Sequence, residues 1–192
     1  MDKNLMLVLG GARSGKSAFA IDIAQQAGAG VLFVATAVAG DEEMARRIQR
    51  HKQTRPKAWV TLEAPANVGA AIEAQNSRAD VVLVDCVGVL VSNLLLELVG
   101  SEPDRASERL DVAEHRVADE VADLLRCYEE TPASFIIVSN EVGLGLVPPN
   151  ALGRVYRDVL GTANQTLARA ADQVYLLVAG IPLALKACRG KD

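Results

Sequence analysis

The segment GGARSGKS, residues 10–17, constrains this chain more than any other stretch of it. It satisfies G-x-x-x-x-G-K-[ST], with Gly10, Gly15, Lys16 and Ser17 in the defining places. The apolar run before it, residues 5–9, reads as a buried strand. The stretch after it, residues 17–26, reads as a helix stopped by Gly28 and Gly30. A strand, a glycine-rich turn and a helix N-terminus in that order make an anion site. Glycines let the chain curl until successive amides point inward, and the helix dipole adds attraction. Gly10, Gly11, Ala12, Arg13, Ser14, Gly15, Lys16 and Ser17 are therefore expected to hold the phosphates of a nucleoside triphosphate. Lys16 should reach the outer phosphates and the Ser17 hydroxyl should bind Mg²⁺. The bland alternative is a glycine-rich turn that matches by accident, and the strand–helix context argues against it.

The same alternation runs on. Residues 31–36 read as a strand, and residues 41–53 as a charged helix with acids first and bases later, matching the helix dipole. Pro56 blocks its continuation. A strand at 59–63, a helix at 67–77 and a central buried strand at 81–85 follow. Helices at 87–99 and 104–130 come next, separated by Gly100 and Pro103. Residues 135–139 read as a strand, NEVGLGLVPPN as a loop, 151–171 as a helix and 174–178 as a strand. Gly180 and Pro182 interrupt that last strand before a short apolar end. Half the residues are hydrophobic but only 4% aromatic, as suits parallel strands covered on both faces. The expectation is an α/β fold: one P-loop domain over residues 1–192, RecA-like, with a mostly parallel sheet and helices on both faces.

Charge and cysteine usage exclude other classes. The formal net charge is −4, and no long basic stripe exists to neutralise a phosphate backbone, so nucleic acid is not the expected partner. Cys86, Cys127 and Cys188 are far apart and make neither a C-x-x-C pair nor a disulfide framework. They read as small buried hydrophobes in a reducing compartment. The N-terminus lacks the apolar region and cleavage site of a signal peptide, and no apolar run reaches membrane-spanning length. A cytoplasmic protein is expected.

Asp85 ends the run VVLVD, at the carboxyl end of a central strand, where α/β sheets place ligands. It reads as the Mg²⁺-directed acid that accompanies a phosphate loop, or as a cap for the next helix. Asn140 and Glu141 follow a strand at the same edge; they read either as groups that bind substrate or as an ordinary polar loop. Of the two histidines, His115 lies opposite the apolar stripe of its helix and reads as solvated. His51 shares a helix face with Met44 and Ile48 and is surrounded by Arg46, Arg47, Arg50, Lys52, Arg55 and Lys57. It reads either as a hydrogen-bonded histidine on a basic helix or as an imidazole nucleophile beside a polyphosphate. Nearby cations would keep the imidazole neutral, with a lone pair free to attack phosphorus.

Taken together, LVLGGARSGKS, VLFVATA, DEEMARRIQRHK with RP shortly after, WVTLEAP, SNEVGLGLVP and VYLLVAGIPLALK cover nearly the whole chain. In them the chain resembles the bifunctional adenosylcobinamide kinase / adenosylcobinamide-phosphate guanylyltransferase family of cobalamin biosynthesis. The resemblance implies two reactions. ATP or GTP phosphorylates the hydroxyl of the aminopropanol arm of adenosylcobinamide. GMP then passes from GTP to that phosphate through a guanylylated histidine, giving adenosylcobinamide-GDP and pyrophosphate. It implies that His51 is the nucleophile; Arg50 stands where some members carry a second histidine. It implies nucleotide contacts from Ala35, Thr36 and Ala37, from Lys52, Gln53, Thr54 and Arg55, and from Glu63 and Asp85. It also implies a homotrimer. A monofunctional small-molecule kinase and a nucleotide-driven ATPase or switch are the competing readings of the residues.

Overall fold

The computed structural model of the chain describes residues 3–27, 30–39, 42, 45–46, 48–49, 52, 55–75, 78–100, 106 and 108–187. Twelve elements run through them: β1 (Leu5–Gly10), α1 (Lys16–Ala27), β2 (Val31–Ala35), β3 (Val60–Glu63), α2 (Val68–Gln75) and β4 (Val81–Asp85), then α3 (Val87–Val99), α4 (Leu110–Glu130), β5 (Ser134–Asn140), α5 (Ala151–Ala170), β6 (Gln173–Val178) and β7 (Ile181–Lys186). Within the expected basic helix, Glu42, Ala45, Arg46, Ile48, Gln49 and Lys52 are helical.

The strands form one sheet in the order β3-β2-β4-β5-β1-β6-β7, parallel except for the β6–β7 pair. Residues of each central strand alternate between two cores. Leu5, Leu7, Leu32, Val34, Val82, Val84, Phe135 and Ile137 face a large core shared with α2, α3, α4 and α5. Met6, Val8, Val31, Phe33, Val81, Leu83, Ile136 and Val138 face a smaller one, closed by Ala20, Ile21 and Ala24 of α1. Helices thus cover both faces, as the uninterrupted apolar strands require. Leu83, Phe135 and Ile137 are at most 1% exposed, and truncating such a residue to Ala costs about 2–5 kcal/mol.

Register brings the site together. Gly10 pairs with Asn140, Asp85 with Val138, and Ala35 with both Asp85 and Glu63, so the carboxyl ends of five strands meet along one edge. That edge, flanking the P-loop strand, is where a parallel sheet offers a crevice to ligands.

Two departures from expectation have local causes. The apolar end beyond Gly180 is a strand, β7, not a loose tail. Ala179 and Gly180 have φ of 52° and 83°, the two-residue turn whose twist suits a hairpin. Pro182 is accommodated because β7 is an edge strand. The second departure is the start of the long helix: α4 begins at Leu110, with Ala106, Glu108 and Arg109 in a tighter 3₁₀ turn before it. The Arg109 guanidinium donates to the Leu98 carbonyl and ties that turn back to α3.

Helix ends are satisfied by distant residues as well as by local caps. Asn150 caps α5, its Oδ1 accepting from Gly153 N–H at 2.6 Å. At the other end of α5, Lys186 of β7 donates to the carbonyls of Ala168, Arg169 and Ala171. Glu120 of α4 is 3% exposed and accepts from the amides of Asn67 and Val68 at 3.0 and 2.7 Å, capping α2 from across the domain.

Candidate functional site

The phosphate loop is held by its own backbone. A Cβ on Gly10 would lie 2.4 Å from Ser14 Oγ and 2.8 Å from the Leu177 carbonyl, so only glycine fits there. Arg13 and Gly15, with φ of 57° and 93°, turn the chain back toward α1. Ser14 N–H donates to Gly11 O at 3.3 Å, and Gly180 N–H donates to Ser14 O at 2.9 Å, so the β6–β7 turn braces the loop from outside. Lys16 is buried, and its Nζ donates to Gly11 O at 2.8 Å, laying the ammonium along the loop. Ser14 Oγ is buried and finds no hydrogen-bond partner among the described residues.

Lys16 and Ser17 line a pocket whose far wall is made of side chains: Ala35, Ala37, Ile48, Lys52, Arg55, Glu63, Asp85, Cys86 and Val89. Thr36, between the two alanines, is fully buried. Its hydroxyl donates to Cys86 O at 2.8 Å and accepts from Cys86 N–H at 2.9 Å, locking the chain after β4 against the end of β2. Its contribution to the site is thus to fix Asp85 and Cys86 in place. Asn93 completes the clasp, its Nδ2 donating to the carbonyls of Thr36 and Pro65 at 2.8 and 3.0 Å. Cys86, not Asp85, is the residue before α3, and no side chain caps that helix. Asp85 therefore lines the pocket and does not cap the helix.

The Arg55 guanidinium lies 3.7 Å from the ring centroid of Phe33, which Trp59 stacks against in turn at 6.5 Å. Its Nε and Nη1 are buried with no hydrogen-bond partner among the described residues. Burial lowers the Arg55 pKa, against the opposing pull of Asp85 and Glu63. Glu63 accepts from Lys52 Nζ at 2.8 Å; that hydrogen bond, then the Lys52 charge, holds its carboxyl below the usual range. An unsatisfied guanidinium over a ring, beside two carboxylates and a lysine, is a wall prepared for an anion with further polar groups.

Asn140 forms the floor between the walls. A Cβ on Gly88 would lie 2.8 Å from Asn140 Nδ2, so the glycine makes room for this side chain. Tyr156 hydrogen-bonds to Asn140, and burial pushes its hydroxyl pKa up. Behind them, Asn164 Nδ2 donates to Asn140 O at 2.9 Å and its Oδ1 accepts from Ser139 Oγ at 2.6 Å. A larger cleft, about 770 Å³, opens at the opposite edge, at the amino ends of β4 and β5 between residues 78–80 and 130–134. It lies away from the carboxyl edge where α/β sheets bind ligands, so the smaller pocket is the candidate site.

The structure thus gathers residues 10–17, Ala35, Ala37, Lys52, Arg55, Glu63 and Asp85 around one crevice, with Thr36 behind it. His51, Gln53 and Thr54 lie outside the described residues, as do Met44, Arg47, Arg50 and Cys188. His115 is exposed on α4, its Nδ1 2.6 Å from Asp111 O. Ser17 and Asp85 line the same pocket, and a hydroxyl with a carboxylate is a hard-oxygen donor pair of the kind Mg²⁺ takes alongside phosphate oxygens and water. Phe33, Gly88, Asn93 and Tyr156 escape sequence reasoning. Asn93 alone leaves a trace, as a polar residue inside the apolar run VGVLVSNLLLELV.

Comparison with known proteins places these features in context. The family model described as cobinamide kinase / cobinamide phosphate guanyltransferase matches residues 6–185. A bifunctional adenosylcobalamin biosynthesis protein of Salmonella typhimurium, CobU, is 42% identical over 182 residues, covering 95% of this chain and 99% of the relative. The protein of the same name from Escherichia coli is 39% identical over 182 residues, with the same coverage. The bifunctional adenosylcobalamin biosynthesis protein CobP of Pseudomonas aeruginosa is 42% identical over 180 residues, covering 94% of this chain and 96% of that protein.

Proposed function

The chain belongs to the cobinamide kinase / cobinamide phosphate guanyltransferase family, and from that premise we propose how the two reactions share one pocket. It is a nucleotide-using transferase with both a kinase and a guanylyltransferase activity in its family description. The acceptor is adenosylcobinamide and then its phosphate; the donors are ATP or GTP in the first step and GTP in the second. The observation that carries this reading is the facing of two walls: Lys16 and Ser17 on one side, Lys52, Arg55, Glu63 and Asp85 on the other.

In the kinase step the loop amides and Lys16 hold the triphosphate in line with the acceptor hydroxyl, whose oxygen bonds to the γ-phosphorus as the bond to the nucleoside diphosphate breaks. Catalysis is mostly positioning and charge stabilisation. In the second step neutral His51 attacks the α-phosphorus and pyrophosphate leaves, forming a phosphorus–nitrogen bond. A phosphate oxygen of the acceptor then displaces the imidazole, giving adenosylcobinamide-GDP. Covalent catalysis divides one displacement into two easier ones. Support for His51 comes from Ile48 and Lys52, its neighbours along the chain, which both line the pocket. Lys16 and Arg55 stabilise charge on the departing group. Mg²⁺, held by Ser17 with Asp85, supplies neutralising charge to the phosphates when bound. Gln53 and Thr54 belong to the same nucleotide-contacting stretch.

The working protein is a cytoplasmic homotrimer in this reading. Among the described residues no helix is long and apolar enough to cross a membrane. Val178, Ile181, Leu183 and Leu185 leave an apolar patch on and beside the edge strand β7, which suits a second subunit. The test is direct. Incubation with GTP and Mg²⁺ should add the mass of GMP to His51, located by peptide mapping. No adduct, or an adduct on another residue, would overturn the assignment.

A further inference from the structure

Between Asn140 and α5 the chain does something that folding does not explain. Leu144, Leu146 and Val147 are 84%, 95% and 63% exposed, three large apolar side chains within four residues. The surrounding backbone is pinned at its ends. Glu141 N–H donates to Gly10 O at 2.9 Å, and its Oε1 accepts from Gly143 N–H at 2.6 Å. On the far side, Arg154 Nη1 donates to the carbonyls of Pro148 and Pro149 at 3.2 and 2.7 Å. Anchors of this kind hold the three apolar groups out in water, four to seven residues past Asn140 on the floor of the nucleotide pocket, on a segment tied to the phosphate loop at Glu141.

We propose that this rim, residues 141–147, is the acceptor subsite: the macrocycle of cobinamide rests its ring methyl groups on Leu144, Leu146 and Val147 while its hydroxyl-bearing arm enters the pocket over Asn140. The inference rests on the reading given above and assigns residues to the acceptor, which that reading leaves without any. Two features favour this occupant. The pocket is narrow and lined by the groups that grip the nucleotide, so a macrocycle has to sit at its mouth, and the rim is continuous with that mouth through the Glu141–Gly10 bond. The patch on β7 is of a different kind: apolar side chains along an edge strand, whose outer backbone groups lack a partner strand among the described residues and suit a second subunit. The rim offers no such ladder, only side chains on a tight loop, which suits a rigid amphipathic small molecule.

The experiment is a Leu144→Ser, Leu146→Ser double variant of the full chain, assayed for GTP-dependent phosphorylation of cobinamide. Removing two apolar contacts should raise the KM for cobinamide by about tenfold or more. The KM for GTP, the kcat at saturating cobinamide, the covalent GMP label and the sedimentation coefficient should hold. An unchanged cobinamide KM overturns the proposal. So does a change in sedimentation, which would make the rim a subunit contact, or a loss of GMP label, which would make it part of the nucleotide site. A missing label in the unaltered chain would instead sink the guanylyl-transfer reading, and the cobinamide KM comparison would still stand on the kinase step alone.

Discussion

On one side of the nucleotide pocket, shape is stored in the backbone. Gly10 has no room for a Cβ, Arg13 and Gly15 sit at positive φ, and the loop is closed by amide-to-carbonyl bonds, including the brace from Gly180. On the other side, shape is stored in charge. Lys52 is bonded to Glu63, Arg55 lies on Phe33 with two nitrogens unsatisfied, and Asp85 stands close by. In the proposed function the first wall meets what every nucleoside triphosphate has, its string of phosphate oxygens. The second wall is set by a side-chain ion pair and leaves two Arg55 nitrogens without a partner among the described residues. In the proposed function, a backbone-built grip paired with a charge-set wall is what would let one phosphate site serve two displacements at different phosphorus atoms.

The comparison is tested most severely at position 51. His51→Ala should remove the covalent GMP label and reduce guanylyl transfer by at least about a thousandfold, because the proposed nucleophile is then gone. Cobinamide phosphorylation should stay within severalfold of normal. Label retained with α-labelled GTP, or equal loss of both activities, would mean the two walls do not divide the work as described.

Lys16→Ala attacks the other wall and should not separate the reactions. Both steps need the phosphates held, so both should fall by about 10²–10³, the usual effect of deleting a preorganised charge-stabilising donor. Steady-state rates for each half-reaction measure this. A variant that loses one activity and keeps the other would show that the loop serves only one of the two steps.

How readable the two walls are in the sequence differs for a physical reason. The phosphate loop is a local structure: strand, glycines, lysine and helix lie within a dozen consecutive residues, so spacing alone predicts them. The sheet is nearly as legible, because each buried strand needs a short apolar run, and the observed strand limits differ from those runs by only a residue at most ends. β7 is missed because Gly180 and Pro182 read as breakers, whereas a hairpin turn and an edge position accommodate both. The second wall is assembled from β2, β3, β4 and the helical stretch containing Ile48 and Lys52, and nothing in the order of residues says that Arg55 will stack on Phe33. Resemblance supplied Thr36, Arg55, Lys52 and Glu63, while Asn93, Gly88 and Tyr156 owe their importance to tertiary contacts. Glu120 is the clearest case: an acid of α4 that no motif singles out is buried and caps a second helix.

Arg55 tests whether the second wall acts through geometry as well as charge. Arg55→Ala should weaken GTP binding or turnover by about 10- to 100-fold, since a charge-assisted hydrogen bond contributes about 1.5–3 kcal/mol and each 1.4 kcal/mol is tenfold. Arg55→Lys should recover little, because an ammonium can neither stack flat on Phe33 nor present a planar fork. Full rescue by lysine, measured by GTP titration, would reduce this residue to a diffuse positive charge.

The smallest effect belongs to the pair that holds the second wall before a ligand arrives. Lys52 and Glu63 have side chains 45% and 64% exposed, so water screens their attraction and the pair should contribute at most about 1 kcal/mol. The hydrogen bond from Lys52 depresses the Glu63 pKa, which fixes the sign of the pH dependence. A carboxyl bound more tightly in its charged form stabilises the folded chain above its unfolded pKa, and that stabilisation is lost as pH falls through the lower folded value. Thermal midpoints of the unaltered chain and Glu63→Gln should therefore differ slightly at pH 7 and converge as the pH drops to about 4 and below. The bonds of the phosphate loop from Ser14 to Gly11 and from Gly180 to Ser14 join backbone to backbone and contain no titrating group. If the two midpoint curves instead ran parallel down to that pH, Glu63 would be acting through packing, and the contrast between a fixed wall and a charge-set wall would lose its electrostatic basis.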